Sequence, residues 1–176
     1  EVDKLTGPLI GRPKSATFRT ADIAGLDTMC HVANGVYEKC KDDESREVFK
    51  LPDFLQKMLE NNMLGSKTGK GFYKKIKDDN GKSKILALDL NTFKYNEQKK
   101  VSYETLKNAR KCKKRDEKFK TLISGNDKAS KFYEENFARM FGYIQNRIPE
   151  ISNDITSIDA ALKTCLLYTS DAADEC

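Results

Sequence analysis

Helical periodicity, interrupted once by short extended runs, is the feature that most limits how this chain can fold. Apolar residues recur at intervals of three and four over residues 23–37 and 54–59, and again beyond Gln98. In between, the sequence changes to GFYKKIK and SKILALDL, separated by DDNGK, in which Asn80-Gly81 is a strong hairpin signal. The pattern predicts a mainly α-helical fold with a small β-hairpin at about residues 71–95.

Capping residues and helix breakers set the expected boundaries ahead of the hairpin. Thr20 is placed to cap one long helix that extends through Tyr37. Pro52 fits the first turn of a second helix, which ends at Asn61-Asn62. We therefore expect two helices before the extended runs.

Beyond the hairpin the chain returns to helix. Residues 93–95 are a candidate third strand, and the segment SGND at residues 124–127 breaks the chain and caps a further helix, which Pro149 closes. A last short helix is expected from residue 152 or 153 to Lys163.

Composition limits the class of protein. With 176 residues, 38% of them hydrophobic and 34% charged, the chain can bury one sizeable core and part of a second. No apolar run approaches the roughly 20 residues of a membrane-spanning helix, so we expect a soluble, cytoplasmic protein without a membrane partner. The net charge of +5 leaves room for an anionic partner, but many cytoplasmic enzymes carry a surplus of this size.

The five cysteines fall into two groups. Cys30, Cys40 and Cys112 have neither CxxC nor Cys/His spacing, which favours reduced thiols and predicts no metal site. Cys165 and Cys176 bracket CLLYTSDAADEC, which resembles a translated sequencing-library adapter, with a genuine polar tail as the alternative. This terminal string is therefore left out of the fold prediction.

The glycine-lysine loop GSKTGKGFYKK, at residues 65–75, raises the question of a phosphate-binding site. A P-loop requires a glycine, four residues, then Gly-Lys and a Ser or Thr whose hydroxyl reaches magnesium. Leu64 stands at the first position and Gly71 at the hydroxyl position, so the motif fails at both ends. The glycines then predict a turn into a strand.

Two further features are open to a functional and a simpler interpretation. A lysine-rich stretch over residues 99–123 would suit a nucleic acid, but its lysines alternate with Glu104, Asp116 and Glu117, as on a solvated helix face. His31 lies within a helix, where a lone histidine is more often a packed or half-exposed side chain than a catalytic base. Neither feature identifies an activity.

Three segments together resemble one enzyme family. They are EVDKLTGPLIGRPKSATFRTADIAGLDTMCHVANGVYE, the loop GSKTGKGFYKK and the later RIPEISNDITSIDAAL. Over residues 1–163 the chain resembles the C-terminal helical domain of the 3-hydroxyacyl-CoA dehydrogenases, a fold similar to the C-terminal domain of 6-phosphogluconate dehydrogenase. Ala16-Thr17-Phe18 stands where the wider family has Gly-Pro-Phe, which is similar to the bacterial long form with an enoyl-CoA hydratase-like region.

The resemblance implies a role within a larger enzyme of fatty-acid β-oxidation. Such an enzyme oxidises a 3-hydroxyacyl-CoA to the 3-oxo thioester with NAD, which an N-terminal Rossmann domain binds. Neither that domain nor the family's catalytic His-Glu pair matches this sequence, so the resemblance implies no catalytic or cofactor-binding residue here and an inactive isolated fragment. It implies acyl-CoA and the Rossmann domain as partners, no nucleic acid, and allows a homo-oligomer.

Two sets of residues lie in the best-matched motifs. The resemblance implies that the helical motif contributes to one wall of the acyl-CoA cleft or to domain contacts, with core packing as the simpler role, through Phe18, Asp22, Leu26 and Asp27. It implies a structural role for the loop, whose residues are Gly65, Lys67, Gly69, Gly71, Phe72 and Tyr73. Contact of Lys67 or Lys70 with the phosphates of coenzyme A is the lesser alternative.

The same resemblance divides the chain into four parts. They are a first helical dehydrogenase domain with its hairpin, connecting helices, the start of a second helical repeat, and the adapter-like tail, at residues 1–98, 99–146, 147–164 and 165–176. Two alternatives to a dehydrogenase fragment stay open: a non-catalytic helical interaction module and a basic nucleic-acid-binding domain.

Overall fold

The computed structural model describes residues 1–78, 81–158 and 160–161 of the chain. The helices are α1 Val2–Leu5, α2 Phe18–Ala24, α3 Leu26–Lys39, α4 Asp53–Glu60, α5 Glu104–Lys111, α6 Arg115–Ile123 and α7 Lys128–Asn146. Short 3-10 turns occur at Pro8–Ile10, Arg46–Phe49 and Ser66–Thr68. The predicted mainly α-helical fold is confirmed.

A three-stranded antiparallel sheet forms where the sequence predicted a hairpin. Its strands are β1 Tyr73–Lys77, β2 Ser83–Leu88 and β3 Tyr95–Glu97, in the order β1-β2-β3. Tyr73 lies opposite Ala87, and Leu88 lies opposite Tyr95, which makes β3 the expected third strand, two residues later than predicted. Asn80 of the predicted turn lies outside the described residues, while Gly81 has the positive φ of 74° that such a turn requires.

The chain divides into two compact units, which we call the sheet unit and the helical unit. The sheet unit is Thr17–Lys100, and the helical unit combines Glu1–Ala16 with the described residues from Val101 onward. This division concerns packing alone. The four parts expected from the family resemblance stay a prediction.

Each unit has its own hydrophobic core. The core of the sheet unit contains Ala21, Leu26, Cys30, Leu55, Met58, Met63 and Phe72. The core of the helical unit contains Leu5, Leu106, Ala109, Leu122, Ala129 and Tyr133. The alternation of helices with a short sheet therefore places α2, α3 and α4 around the hairpin, and leaves α1, α5, α6 and α7 to form a core of helices alone.

The prediction of one long helix from Thr20 to Tyr37 was wrong. Gly25 has a φ of 97°, which ends α2, and α3 begins at the next residue. The N–H of Leu26 donates to the carbonyl of Leu64, 3.1 Å away, instead of to a carbonyl within the helix. Ile23, the first residue of the apolar pattern over residues 23–37, is exposed, because the break changes the direction of the helix face.

The first residues of the chain are built into the helical unit. The Glu1 carboxylate accepts hydrogen bonds from the hydroxyl of Tyr103 and from Lys128, whose Nζ lies 2.9 Å away. The buried Tyr133 hydroxyl donates to the carbonyl of Leu5 at 2.7 Å. Because burial disfavours the charged phenolate, the pKa of Tyr133 is raised to about 12.

The predicted cap at residues 124–127 is confirmed. Asp127 precedes α7, and one of its carboxylate oxygens accepts the N–H of Ser130 at 3.0 Å. The other oxygen accepts the N–H of Thr105, also at 3.0 Å. Burial alone would raise the pKa of Asp127, but these N–H donors outweigh burial and lower it. The last predicted helix is seen at residues 155–158 and 160–161, and Lys163 lies outside the described residues.

Candidate functional site

Asp22 is the centre of the site that the two predicted motifs form. It lies in α2 and is 1% exposed. Its two carboxylate oxygens accept the backbone N–H groups of Phe72 and Tyr73, each at 2.8 Å, although these residues lie about 50 positions later in the sequence. The helical motif and the loop motif, which were predicted to play separate roles, are therefore two halves of one hydrogen-bonded arrangement.

Glycines in the loop are required because Asp22 lies so close to the loop backbone. A Cβ atom on Gly65 would lie 2.3 Å from the carbonyl oxygen of Asp22, and the φ of Gly65 is also positive, at 97°. A Cβ atom on Gly71 would lie 2.1 Å from a carboxylate oxygen of Asp22 and 2.6 Å from the Cα of Gly65. Only hydrogen fits at either position, so the side chains are excluded by contact as well as by backbone conformation.

This arrangement answers the question of phosphate binding raised by the loop sequence. The loop does present backbone N–H groups to an anion, which is what a phosphate loop does. The anion, however, is the carboxylate of Asp22 in the same unit. A phosphate bound at Phe72 and Tyr73 would have to displace that carboxylate, so the structural role of these loop residues is the better interpretation.

Aromatic rings close the site on its apolar side. The rings of Phe18 and Phe72 stack with centroids 3.9 Å apart and planes 7° from parallel, and Phe54 meets Phe72 edge-on at 6.3 Å. The Tyr95 hydroxyl donates to the carbonyl of Gly71 at 2.6 Å. Burial, and then the nearby charge of Asp22, raise the pKa of Tyr95 to about 12.

An ion pair lies at the solvent-facing edge of the site. Lys67 Nζ is 2.5 Å from a carboxylate oxygen of Asp27, and the two side chains are 47% and 44% exposed. The hydrogen bond from Lys67 is the main reason that the pKa of Asp27 is lowered. Lys70, the other loop lysine, donates to the carbonyl of Asn61 at 3.0 Å. Both cations are thus engaged within the sheet unit, so a coenzyme A phosphate bound there would compete with these contacts.

The remaining predicted residues are placed as follows. Leu26 is fully buried beside the helix break, and Gly69 has a φ of 70° with open space around its Cα. His31, the single histidine, is exposed on α3. The structure thus brings nine of the ten residues into one connected arrangement, from which Gly69 stands apart as the turn residue of the loop.

Sequence reasoning missed two polar contributors to this site. The Thr68 hydroxyl accepts the N–H of Leu64 at 3.0 Å and donates to the carbonyl of Lys70 at 3.0 Å, which holds the loop closed. Tyr95 comes from β3 and bonds Gly71. A threonine within a glycine-rich turn is a usable signal for the first contact, but the second depends on strand register, which only the folded sheet reveals.

The described residues do not fit a dinucleotide. A Rossmann site needs backbone N–H groups at a helix N-terminus that follows a parallel strand. The strands described in this chain are antiparallel, and the N–H groups of Phe72 and Tyr73 are taken by Asp22. We therefore assign no contact with NAD to these residues.

Comparison with known proteins identifies relatives over most of the chain. A “Probable 3-hydroxyacyl-CoA dehydrogenase” of Bacillus subtilis is 46% identical over 163 residues, which is 93% of this chain and 20% of the relative. A protein of the same name from Deinococcus radiodurans is 48% identical over 85 residues, 48% of this chain and 24% of the relative. A “Fatty acid oxidation complex subunit alpha” of Psychrobacter is 41% identical over 71 residues, 39% of this chain and 9% of the relative.

The chain thus spans about a fifth to a quarter of the length of the first two relatives. No solved structure matches it. Among the residues that the structure describes, none of the helices combines the length and apolar character needed to cross a bilayer. Residues 1–75, which include Asp22 and most of the glycine-lysine loop, match the family model “3-hydroxyacyl-CoA dehydrogenase, C-terminal domain”. The comparisons therefore agree with the family resemblance that the sequence motifs indicated, and the match to the family's C-terminal domain covers residues 1–75.

Proposed function

We propose that this chain serves as the C-terminal helical part of an NAD-dependent 3-hydroxyacyl-CoA dehydrogenase of fatty-acid β-oxidation, acting in the cytoplasm. The observation that carries the proposal is the pairing of the two family motifs through Asp22, whose carboxylate bonds Phe72 and Tyr73. The pairing lies inside the region that matches the family model. The enzyme converts a 3-hydroxyacyl-CoA to its 3-oxo thioester, and we place NAD binding and proton removal outside this chain.

Within that enzyme we assign different roles to the predicted wall residues. Asp22 and Leu26 are 1% and 0% exposed, so they have no surface left for a ligand and act as positioning residues. Asp27 and Phe18 are half-buried and offer surface to an acyl-CoA or to another domain. We therefore place the substrate side of the wall at the edge where Asp27 pairs with Lys67.

A chimera tests the proposal directly. The 163 aligned residues of the Bacillus relative would be replaced by those of this chain, and NADH formation from a 3-hydroxyacyl-CoA would be followed by absorbance. We expect the chimera to oxidise the substrate and the isolated chain to show none of this activity. Turnover by the isolated chain would contradict the proposal, and so would a chimera that folds and binds NAD but does not react.

The same chimera tests the edge of the wall. We expect Lys67→Gln to raise KM for the acyl-CoA while leaving kcat unchanged, because a residue that contacts bound substrate away from the reacting carbon contributes uniform binding. Lys75→Gln, an exposed lysine on β1, is the matched control and should leave KM unchanged. Equal KM values for the two variants would show that the substrate does not contact this edge.

A further inference from the structure

A strongly basic surface on the helical unit has no part in the proposed function. Residues 107–120 contain eight basic residues and two acidic ones, an excess larger than the net charge of +5 of the whole chain. Seven of the basic side chains are exposed on α5, α6 and the turn between them, and we call them the basic surface: Lys107, Arg110, Lys111, Lys113, Lys114, Arg115 and Lys120.

The cations of the basic surface are not neutralised by neighbouring carboxylates. None of them forms an ion pair with a carboxylate among the residues that the structure describes. The acidic residues of this stretch, Glu104, Asp116 and Glu117, are exposed, as the sequence predicted for a solvated face, but they are fewer than the cations. Lys107 and Lys111 are also one turn apart on α5, where like charges repel. Binding of an anionic partner to this surface would therefore be electrostatically favourable.

Exposed apolar side chains adjoin the basic surface. The ring of Phe119, in α6, lies 4.9 Å from that of Phe137 and 6.3 Å from that of Phe141, both in α7. Phe141 is 49% exposed and its neighbour Met140 is 41% exposed. Arg115 precedes Phe119 by one helical turn on the same face of α6, so the cations and the apolar side chains are contiguous.

The C-terminal half of α7 and the residues that follow it also carry more basic than acidic side chains. Residues 136–149 contain Arg139 and Arg147 and no aspartate or glutamate. Arg147 bonds Glu150 at 2.8 Å, while Arg139 is exposed. On α7 itself, Arg139 therefore places one positive charge next to Met140 and Phe141.

We propose that this surface binds an anionic lipid bilayer from the water side. Lipid headgroups attract lysines as point charges without demanding fixed geometry, whereas protein interfaces are depleted in lysine, and the basic surface is mostly lysine. Met140 and Phe141 supply apolar side chains that enter the headgroup region, as in interfacial helices. A nucleic acid would use the cations but leave these two side chains without a role. The earlier expectation of no membrane partner rested on the lack of a spanning segment, which surface binding does not require.

Vesicle sedimentation of the 176-residue chain tests this inference. Vesicles of phosphatidylcholine with about 30% phosphatidylserine would be compared with vesicles of phosphatidylcholine alone, at low salt and at about 0.5 M NaCl. We expect binding only to the anionic vesicles, and release as the salt screens the charges. Failure to bind anionic vesicles at low salt would overturn the inference.

Two pairs of substitutions locate the binding. Because each cation near an anionic bilayer contributes about 1 kcal/mol, Lys113→Gln with Lys114→Gln should weaken partitioning about thirtyfold. Lys75→Gln with Lys77→Gln, which removes the same charge from exposed positions on β1, should have little effect. Equal losses from the two pairs would overturn the placement, because the effect would then follow net charge alone.

Met140→Gln with Phe141→Gln separates a bilayer from a nucleic acid. We expect this variant to lose vesicle binding several-fold, because the apolar side chains no longer enter the headgroup region, while circular dichroism shows an unchanged fold. Duplex DNA serves as the competing probe. The inference of a bilayer would be wrong if the chain bound DNA more tightly than vesicles and if this variant left vesicle binding unchanged. A nucleic acid would then be the better candidate for the partner.

Discussion

Each unit of this protein is tied together by one aspartate that accepts two backbone N–H groups, and the two aspartates lie in different surroundings. Asp22, in the sheet unit, is buried and bonds Phe72 and Tyr73, about 50 residues away. Asp127, in the helical unit, is half-buried and bonds Ser130 next to it and Thr105, 22 residues away. The same chemistry thus serves a buried centre in one unit and a helix cap in the other.

The difference shows how burial restricts sequence. A buried carboxylate needs its hydrogen-bond donors in place and no side chain pressing on it, which is why Gly65 and Gly71 lack room for a Cβ. A capping carboxylate at the surface needs only a suitable residue at one position, because water can donate to the carboxylate lone pairs that the protein leaves unused. Asp22 therefore constrains a long motif, whereas Asp127 constrains a few neighbouring residues.

The largest expected effect comes from removing each aspartate in turn. Asp22→Ala leaves the N–H groups of buried Phe72 and half-buried Tyr73 without an acceptor and should lower the free energy of unfolding by about 3–5 kcal/mol. Asp127→Ala removes a cap and one long-range bond, and should lower it by about 1–2 kcal/mol. Urea unfolding followed by circular dichroism measures both, and hydrogen exchange by mass spectrometry shows which unit opens. A larger loss for Asp127→Ala would reverse the comparison.

Two glycine substitutions separate contact from backbone conformation within the loop. Gly71→Ala places a Cβ 2.1 Å from the Asp22 carboxylate and should destabilise by about 2–3 kcal/mol, through overpacking. Gly69→Ala meets no atom within 4 Å but must keep a φ of 70°, which costs about 1 kcal/mol. Thermal unfolding ranks the two, and equal losses would mean that Asp22 moves aside without penalty.

Alkaline pH should weaken both units through tyrosines whose pKa is raised, half-buried Tyr95 in the sheet unit and buried Tyr133 in the helical unit. The pKa values of Tyr95 and Tyr133 are raised to about 12, above the value of about 10 expected in the unfolded chain. Their contribution to stability is therefore complete below about pH 10 and is lost as the pH rises through 12.

The Tyr133→Phe variant tests the alkaline effect. It should cost about 1 kcal/mol at neutral pH, because the carbonyl of Leu5 loses its donor. The variant should also lose less stability than the parent chain between about pH 10 and pH 12, as measured by urea unfolding. An unchanged alkaline slope in the variant would show that the tyrosine ionises as readily in the folded chain as in the unfolded one.

The smallest effect is expected at the exposed ion pair of the sheet unit. Lys67→Gln removes the partner of Asp27, and because both side chains are about half exposed the melting temperature should fall only slightly. The pKa of Asp27 is lowered in the folded chain, so its contribution is present above the unfolded value and is lost as the pH falls. The difference between variant and parent should vanish in high salt and at acid pH, and its persistence would point to packing by the lysine stem.

Much of the fold followed from local rules. Periodicity and the Asn80-Gly81 signal predicted the helices and the hairpin, and the SGND segment predicted the cap at Asp127. These features depend on residues near one another in the sequence. The helix break at Gly25 was missed because its cause, the bond from Leu26 to the carbonyl of Leu64, joins residues about 40 positions apart.

The site was predicted only as two separate motifs. Nothing in the spacing of Asp22 and Phe72 shows that one bonds the other, since the contact depends on how α2 meets the loop. The glycines of the loop were correctly predicted to shape a turn, but the close approach that excludes a side chain at Gly71 is a property of the folded backbone. The resemblance to a family located the residues, and the structure supplied the bond between them.

The helical unit is interleaved with the sheet unit along the chain, because Glu1–Ala16 packs with residues beyond Val101. A boundary drawn along the sequence is therefore not a boundary in space. A chain that lacks its first sixteen residues would leave the Tyr133 hydroxyl without its acceptor, the carbonyl of Leu5. It would also leave a cavity in the core of the helical unit in place of the Leu5 side chain. A cut at residue 75, where the family match ends, would divide β1 itself and leave its first three residues without β2. A fragment that is meant to fold as the helical unit therefore has to contain both Glu1–Ala16 and the segment that begins at Val101.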